Sequence, residues 1–423
     1  MRFGSPDGER SPLPAALGFL VYFVSTVTAC ATGGEVDATG TGSGAAGTGG
    51  TGGSAGAETT GSSTSSSSTG GSTQSTTSST LAFVASECPE GSYAVGLNFE
   101  NALSCQPFLP AVREAINSTC SVYLGWRDAC TECDLPPTKW GVAAAGSCTN
   151  GVGTDNTCTL PTLDALPVQL FGLNFDGDVN ADDKIHIGFH CPAPSAETHV
   201  GPCELNEFAT SIGEVTDCIH AASSTLEHVR TRCGLYFGWR DACDGCTSAP
   251  DRWGQVGPTG CTVGLGDTNT CSIAMLGDQN VQLFGLSTGG DVDGNDKLYT
   301  ALHCNSPPAP VTTETKGSCP SGQLIKKLAA DGTITCETPT LLVANYFDQQ
   351  CTFYFGWSDG CDGCEDPPAK WGRMRNGFCT NDSGVDNTCT QTILGGKTLA
   401  MFGLSTDGDV DGNDKLYVGF RCQ

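Results

Sequence analysis

Positive charge is scarce in this chain: Lys and Arg total 20 against 46 Asp and Glu, a formal net charge of −26. A surface that acidic repels phosphate backbones and anionic headgroups, which excludes nucleic acid as a partner. Charged residues make up only 16% while Gly numbers 57, so the composition favours loops and strands over helices. Long apolar runs are also lacking. Only Leu13–Ala29 approaches a membrane span, and no later stretch could cross a bilayer. There is no His-Glu-x-x-His and no P-loop. No position carries histidine in all three copies, as a catalytic group in repeated units would; His190 and His303 align with Arg421. The chain therefore reads as a non-enzyme. A secreted hydrolase with a carboxylate pair hidden among its many Asp residues is the least favoured alternative.

What is present begins with an address. Arg2 and Arg10 flank a short polar segment, the apolar run follows, and it ends in Val27-Thr28-Ala29-Cys30. A small residue before Cys with an aliphatic one three positions upstream resembles the lipobox of bacterial lipoproteins. The resemblance covers residues 1–30 only. It implies a signal peptide over 1–29 that is removed, palmitate-type acylation at Cys30, and an exported protein anchored in the outer membrane or at the cell surface. Several acyl chains hold where one would not. The competing readings are an ordinary secretory signal or an uncleaved anchor. Residues 30–80, apart from that Cys, are almost all Gly, Ser, Thr and Ala. Such a stretch cannot bury a core and predicts a disordered tether with a span of roughly 40 Å.

Cysteine usage is the most informative feature. Of 25 cysteines, Cys30 stands apart and the rest fall into three sets of eight. These are Cys88, Cys105, Cys120, Cys130, Cys133, Cys148, Cys158 and Cys191; Cys203, Cys218, Cys233, Cys243, Cys246, Cys261, Cys271 and Cys304; and Cys319, Cys336, Cys351, Cys361, Cys364, Cys379, Cys389 and Cys422. From the third member onward the steps are 10, 3, 15, 10 and 33 in every set. This is an internal repeat with modules over 81–195, 196–310 and 311–423. Even sets in an exported chain predict disulfides throughout, with connectivity that spacing alone does not choose. The Cys-x-x-Cys elements compete as zinc or redox sites, but no second thiolate pair or βαβ setting accompanies them.

Each module splits in two. A disulfide-closed hairpin comes first, as in "CPSGQLIKKLAADGTITC" with its turn at Asp331-Gly332. A short helix such as "SSTLEHVRTRC" leads into a second part of constant length. There "SVYLGW", "PVQLFGL" and "KIHIGFHC" and their counterparts read as strands. In the last, Ile185, Ile187 and Phe189 alternate with Lys184, His186 and His190, which places the polar set on an exposed face. The fold class is mainly β: three tandem small disulfide-rich β modules after a disordered linker.

Between the last two strands of each module lies an acidic turn. Its oxygen-bearing residues end in Asp183, Asp296 and Asp414. The candidate ligands among them are Asp176, Asp178, Asn180 and Asp182 in the first copy, Asp291, Asp293 and Asn295 in the second, and Asp407, Asp409, Asp411 and Asn413 in the third. Oxygens at alternate positions followed by Gly412 resemble the start of an EF-hand calcium loop, although the position for its bidentate Glu is Val418. That resemblance implies Ca2+ at these residues, as a stiffener rather than a reagent. A solvated hairpin with Asx turns is the competing reading. Trp126, Trp239 and Trp357, each in Gly-Trp-x-Asp, are candidates for stacking on a glycan, with burial in the core as the bland alternative. The functional expectation is an adhesion or ligand-binding surface protein, its partner a glycan or a surface protein. A structural envelope spacer without a ligand is the alternative.

Overall fold

The computed structural model describes residues 82–423 apart from 131–132, 176, 194–197, 214, 244–245, 361–366 and 407. The signal peptide, Cys30 and the linker lie outside the described residues, as do Asp176, Asp407, Cys361 and Cys364.

Each repeat opens with the expected disulfide-closed hairpin. In the third, strands Leu324–Leu328 and Thr333–Glu337 turn at Asp331-Gly332, where Gly332 takes φ +81° and Asp331 accepts the Thr333 amide at 2.9 Å. A helix follows in every copy: α1 Leu109–Thr119, α2 Ala221–Arg232 and α3 Thr340–Gln350. Each stops at a cysteine in extended conformation, Cys120, Cys233 or Cys351, at the head of the next strand. The three helices pack against one another.

The sheets are not confined to single repeats. Strands Ser121–Arg127, Lys139–Ala144, Cys148–Val152 and Lys184–His190 of the first copy share a six-stranded sheet with Thr270–Leu276 and Gln279–Leu286 of the second. The second copy's Cys233–Arg240, Arg252–Gly257, Gly260–Leu265 and Lys297–Cys304 take in Thr388–Leu394 and Lys397–Ser405 of the third. The third copy's Cys351–Ser358, Lys370–Arg375, Phe378–Ser383 and Lys415–Cys422 take in Thr157–Thr159 and Leu170–Asn174 of the first. The exchange closes on itself, so every repeat gives strands to one neighbour and receives them from the other. The modules are units of sequence; the described chain from residue 82 on is one compact unit.

One core serves all three copies. Phe189 of the first sits edge-on to Phe353 of the third at 5.5 Å, and Phe237 of the second edge-on to Phe355 at 5.9 Å. Burying each such side chain contributes about 1.5–3 kcal/mol, and a module of this length could not gather enough of them alone. Close approach is built into the sequence: a side chain at Gly141, Gly254 or Gly372 would collide with the ring of Phe171, Phe284 or Phe402.

Disulfides follow one scheme. First joins second (Cys88–Cys105, Cys203–Cys218, Cys319–Cys336), third joins eighth (Cys120–Cys191, Cys233–Cys304, Cys351–Cys422), and sixth joins seventh (Cys148–Cys158, Cys261–Cys271, Cys379–Cys389). Fourth joins fifth in Cys130–Cys133 and Cys243–Cys246, so these Cys-x-x-Cys elements are bridges. The third-to-eighth bridge ties the first and last strands of each constant-length part across directly facing residues, as at Cys233 and Cys304.

The strand Lys184–His190 corrects one expectation. Ile185, Ile187 and Phe189 do point into the core, but Lys184 and His186 on the other face are fully buried, not exposed. Cys133 lies against that face, and the Lys184 ammonium donates to its carbonyl at 2.9 Å. Alternation gave the facing correctly but not the cover.

Candidate functional site

The three acidic turns meet. The amide of Val179 donates to the Val410 carbonyl at 2.8 Å, Val410 to Val292 at 2.8 Å, and Val292 to Val179 at 2.9 Å. Three residues from three repeats thus close a ring of hydrogen bonds around the pseudo-threefold axis. All three valine side chains are buried. The ring lies at the end of the sheets opposite the helices, because each strand leaving an acidic turn runs back toward the helix layer before it ends at a cysteine. Each valine is preceded by an exposed aspartate: Asp178, Asp291 and Asp409.

The alternating carboxylates divide into separate jobs. Asn180, Asp293 and Asp411 form Asx turns, accepting the amides of Asp182, Asn295 and Asn413 at 2.8–2.9 Å. Asp183, Asp296 and Asp414 are buried caps. Asp183 takes the amides of Ala129 (3.0 Å) and Asn180 (3.1 Å), and Asp296 those of Ala242 (2.9 Å) and Asp293 (3.2 Å). Asp414 takes those of Gly360 and Asp411, both at 3.0 Å. Each cap therefore ties the turn before Cys-x-x-Cys to the acidic turn. Burial pushes all three caps up from the ordinary carboxylate value, Asp296 and Asp414 to about 6, against the pull of their amide donors. Neighbouring carboxylates add to the rise: Asp128 at Asp183, Asp293 and Asp241 at Asp296, Asp411 and Asp359 at Asp414.

Lys184, Lys297 and Lys415 directly follow the caps, are fully buried, and sit one residue from them in every copy. Lys297 donates to the Cys246 carbonyl at 3.1 Å, as Lys184 does to Cys133. The second copy lacks the first aspartate and has Gly289 there. Its Arg252 stands where the other copies have Lys139 and Lys370, and the guanidinium fills the space a side chain at 289 would need. The sequence shows the caps only as members of the acidic clusters and Lys184 only as a residue of an exposed strand face; the recurring Asp-Lys pair at a strand start is the signal for their burial.

The calcium expectation gains no donor set here: among the described residues no three acidic, His or Cys side chains converge as metal ligands. Asp178, Asp291 and Asp409, together with Asp182, Asn295 and Asn413, face solvent.

Trp126, Trp239 and Trp357 are 2%, 5% and 1% exposed, which leaves no ring face for a sugar. Trp126 packs edge-on to Phe175 at 6.0 Å. The second tryptophan of each repeat clamps the exchange instead: Trp140, Trp253 and Trp371 pair with Tyr123, Tyr236 and Tyr354 at 6.0–6.2 Å. Trp140 lies beneath Ala274, Leu276, Val281 and Leu283 of the donated strands.

Among the described residues two Gly-x-Ser-x-Gly matches occur, at Gly285–Gly289 and Gly356–Gly360, but neither is a strand-to-helix elbow. Ser287 and Ser358 are buried, and the Ser358 hydroxyl is engaged by the Ala369 amide at 3.0 Å.

No family model matches this chain, and no curated protein or solved structure is similar to it.

Proposed function

We propose that this chain is an exported surface lipoprotein whose three interlocked repeats form a single rigid ligand-binding head. The observation that carries this reading is the cyclic strand exchange, pinned by disulfides in every repeat. Such cross-links constrain the unfolded chain by about 2–4 kcal/mol each and persist only outside the reducing cytosol. The lipobox-like Val27-Thr28-Ala29-Cys30 supports a lipid anchor, and the Gly/Ser/Thr stretch supports a tether between anchor and head. One interlocked head offers its surfaces once per chain, so avidity among independently moving modules is not part of this reading.

The test is binding of an 82–423 fragment to glycan arrays and to isolated cell envelopes. Saturable binding is expected. Blank screens, together with a leaky envelope on deletion of the protein, would favour the structural spacer instead. Mass spectrometry of the mature protein is expected to find lipid on Cys30; an unmodified, uncut N-terminus would remove the anchor.

A further inference from the structure

The repeats agree closely at the acidic end, so a place where one copy departs at a cost to itself is informative. His228, on α2, is such a place. It is 4% exposed, and neither ring nitrogen has a hydrogen-bond partner. A neutral imidazole carries one donor and one acceptor, and leaving each unmet costs about 1–3 kcal/mol. The scaffold does not demand this: counting back from the strand-opening cysteine, the matching residues are Ala115 and Tyr346.

His228 lines a cleft of about 410 Å3 between α2, the start of α3 and the third hairpin at Ser321. That volume falls within the range of small-molecule sites, ~300–1,000 Å3. Arg232, one turn along α2, lines the same cleft and makes no ion pair or side-chain hydrogen bond among the described residues. Its counterparts are Thr119 and Gln350. Glu227 on the rim is held by Arg230 at 3.4 Å. The far wall is the first turn of α3, at Pro339 and Thr340, where no side chain caps the backbone amides. A helix start with free amides favours an anion. Buried beside Arg232, His228 is held down at about 4, so at neutral pH it offers a neutral N–H.

We propose that this cleft binds a small solute through an oxyanion (sulfate, phosphate or carboxylate) held by the Arg232 guanidinium, the His228 ring and the first-turn amides of α3. The inference rests on the binding reading only in giving the head a ligand. Because the chain's net charge of −26 repels anions at long range, saturable anion binding would report local donors.

The experiment is titration of the purified chain with inorganic phosphate and with sulfate at constant ionic strength, read by calorimetry and by the His228 ring resonances. Saturation at about 1 mM or tighter is expected. His228→Ala and Arg232→Gln place in the second copy what the first and third already carry, so both variants should fold. Each is expected to weaken binding about tenfold without lowering the melting temperature of the anion-free chain. Failure of both anions to saturate, or equal affinity in both variants, overturns the assignment. A neutral sugar that binds where phosphate does not would end the oxyanion site while leaving the ligand-binding head standing.

Discussion

The two ends of the sheets teach different things. At the acidic end the three repeats superimpose in chemistry: a ring valine, an Asx turn, a buried cap and a buried lysine occur in each. At the helix end they diverge, with Ala115, His228 and Tyr346 at one position and Thr119, Arg232 and Gln350 at another. Closing the ring needs all copies to be alike, since each valine must both give and receive a hydrogen bond. Packing three helices needs only complementary shapes, and that freedom leaves room for one copy to specialise. The acidic end thus reads as the lock of the fold and the helix end as the place for a ligand.

The harshest way to break this comparison is to remove a repeat. Without residues 311–423 the second sheet loses two strands and the first copy's donated strands lose their acceptor. The 82–310 fragment is expected to lack a cooperative transition and to expose its tryptophans. A sharp melt with blue-shifted Trp emission would mean that the exchange is dispensable.

Next in size is the contrast between a cap and an exposed neighbour. Asp414→Ala strands two amides and is expected to cost roughly 2–5 kcal/mol in denaturant unfolding. Asp409→Ala, on the surface, should stay within about 0.5 kcal/mol. The same pair melted in calcium and in chelator examines the EF-hand-like pattern. A rise with calcium that Asp409→Ala abolishes would give the exposed carboxylates a metal role; equal curves would leave them as turn residues.

The third prediction concerns pH. Burial, with Lys184 and Arg127 nearby, holds His186 at about 3, against an ordinary 6.5. As pH falls below 6.5 the unfolded chain takes up the proton first, so stability is full above that value and declines by about 1.4 kcal/mol per pH unit toward about 3. The matching residues are Tyr299 and Tyr417, set over Gly403 and Gly172 as His186 is over Gly285. His186→Tyr should therefore fold and lose this slope. Asp296 and Asp414 act in the opposite sense, gaining stability as pH falls from about 6 toward 3.8. The difference between variant and parent, not the raw profile, isolates the histidine. Parallel profiles from pH 7 to 4 would contradict the buried-neutral assignment.

Much of this was legible in the sequence. Cysteine spacing gave the repeat, the hairpin turn at Asp331-Gly332 and the strands, because those depend on local chemistry. The exchange was not legible: "PVQLFGL", "NVQLFGL" and "TLAMFGL" have the same pattern whether they pair within a repeat or with its neighbour. The partner is chosen by tertiary fit, such as Val281 and Leu283 of the second copy seated over Gly188 of the first. In the sequence the acidic cluster reads as a set of like charges needing a counter-ion, and Lys184 as a residue of an exposed strand face. A charged residue repeated at one strand position in three copies is better read as buried and paired.

The smallest expected effect sharpens how alike the three locks are. The residue whose amide meets the cap is left-handed in every copy: Ala129 at φ 53°, Ala242 at φ 50° and Gly360 at φ 61°. An L-residue pays roughly 1–2 kcal/mol there, and glycine avoids this while adding freedom to the unfolded chain. Ala242→Gly is thus expected to stabilise by about 0.5–1 kcal/mol, and Gly360→Ala to destabilise by a similar amount. Mirror-image shifts would mean that the cap hydrogen bond imposes one backbone geometry on all three repeats whatever residue stands there. A loss of stability in Ala242→Gly would mean that the alanine methyl packs usefully and that the second lock differs from the third.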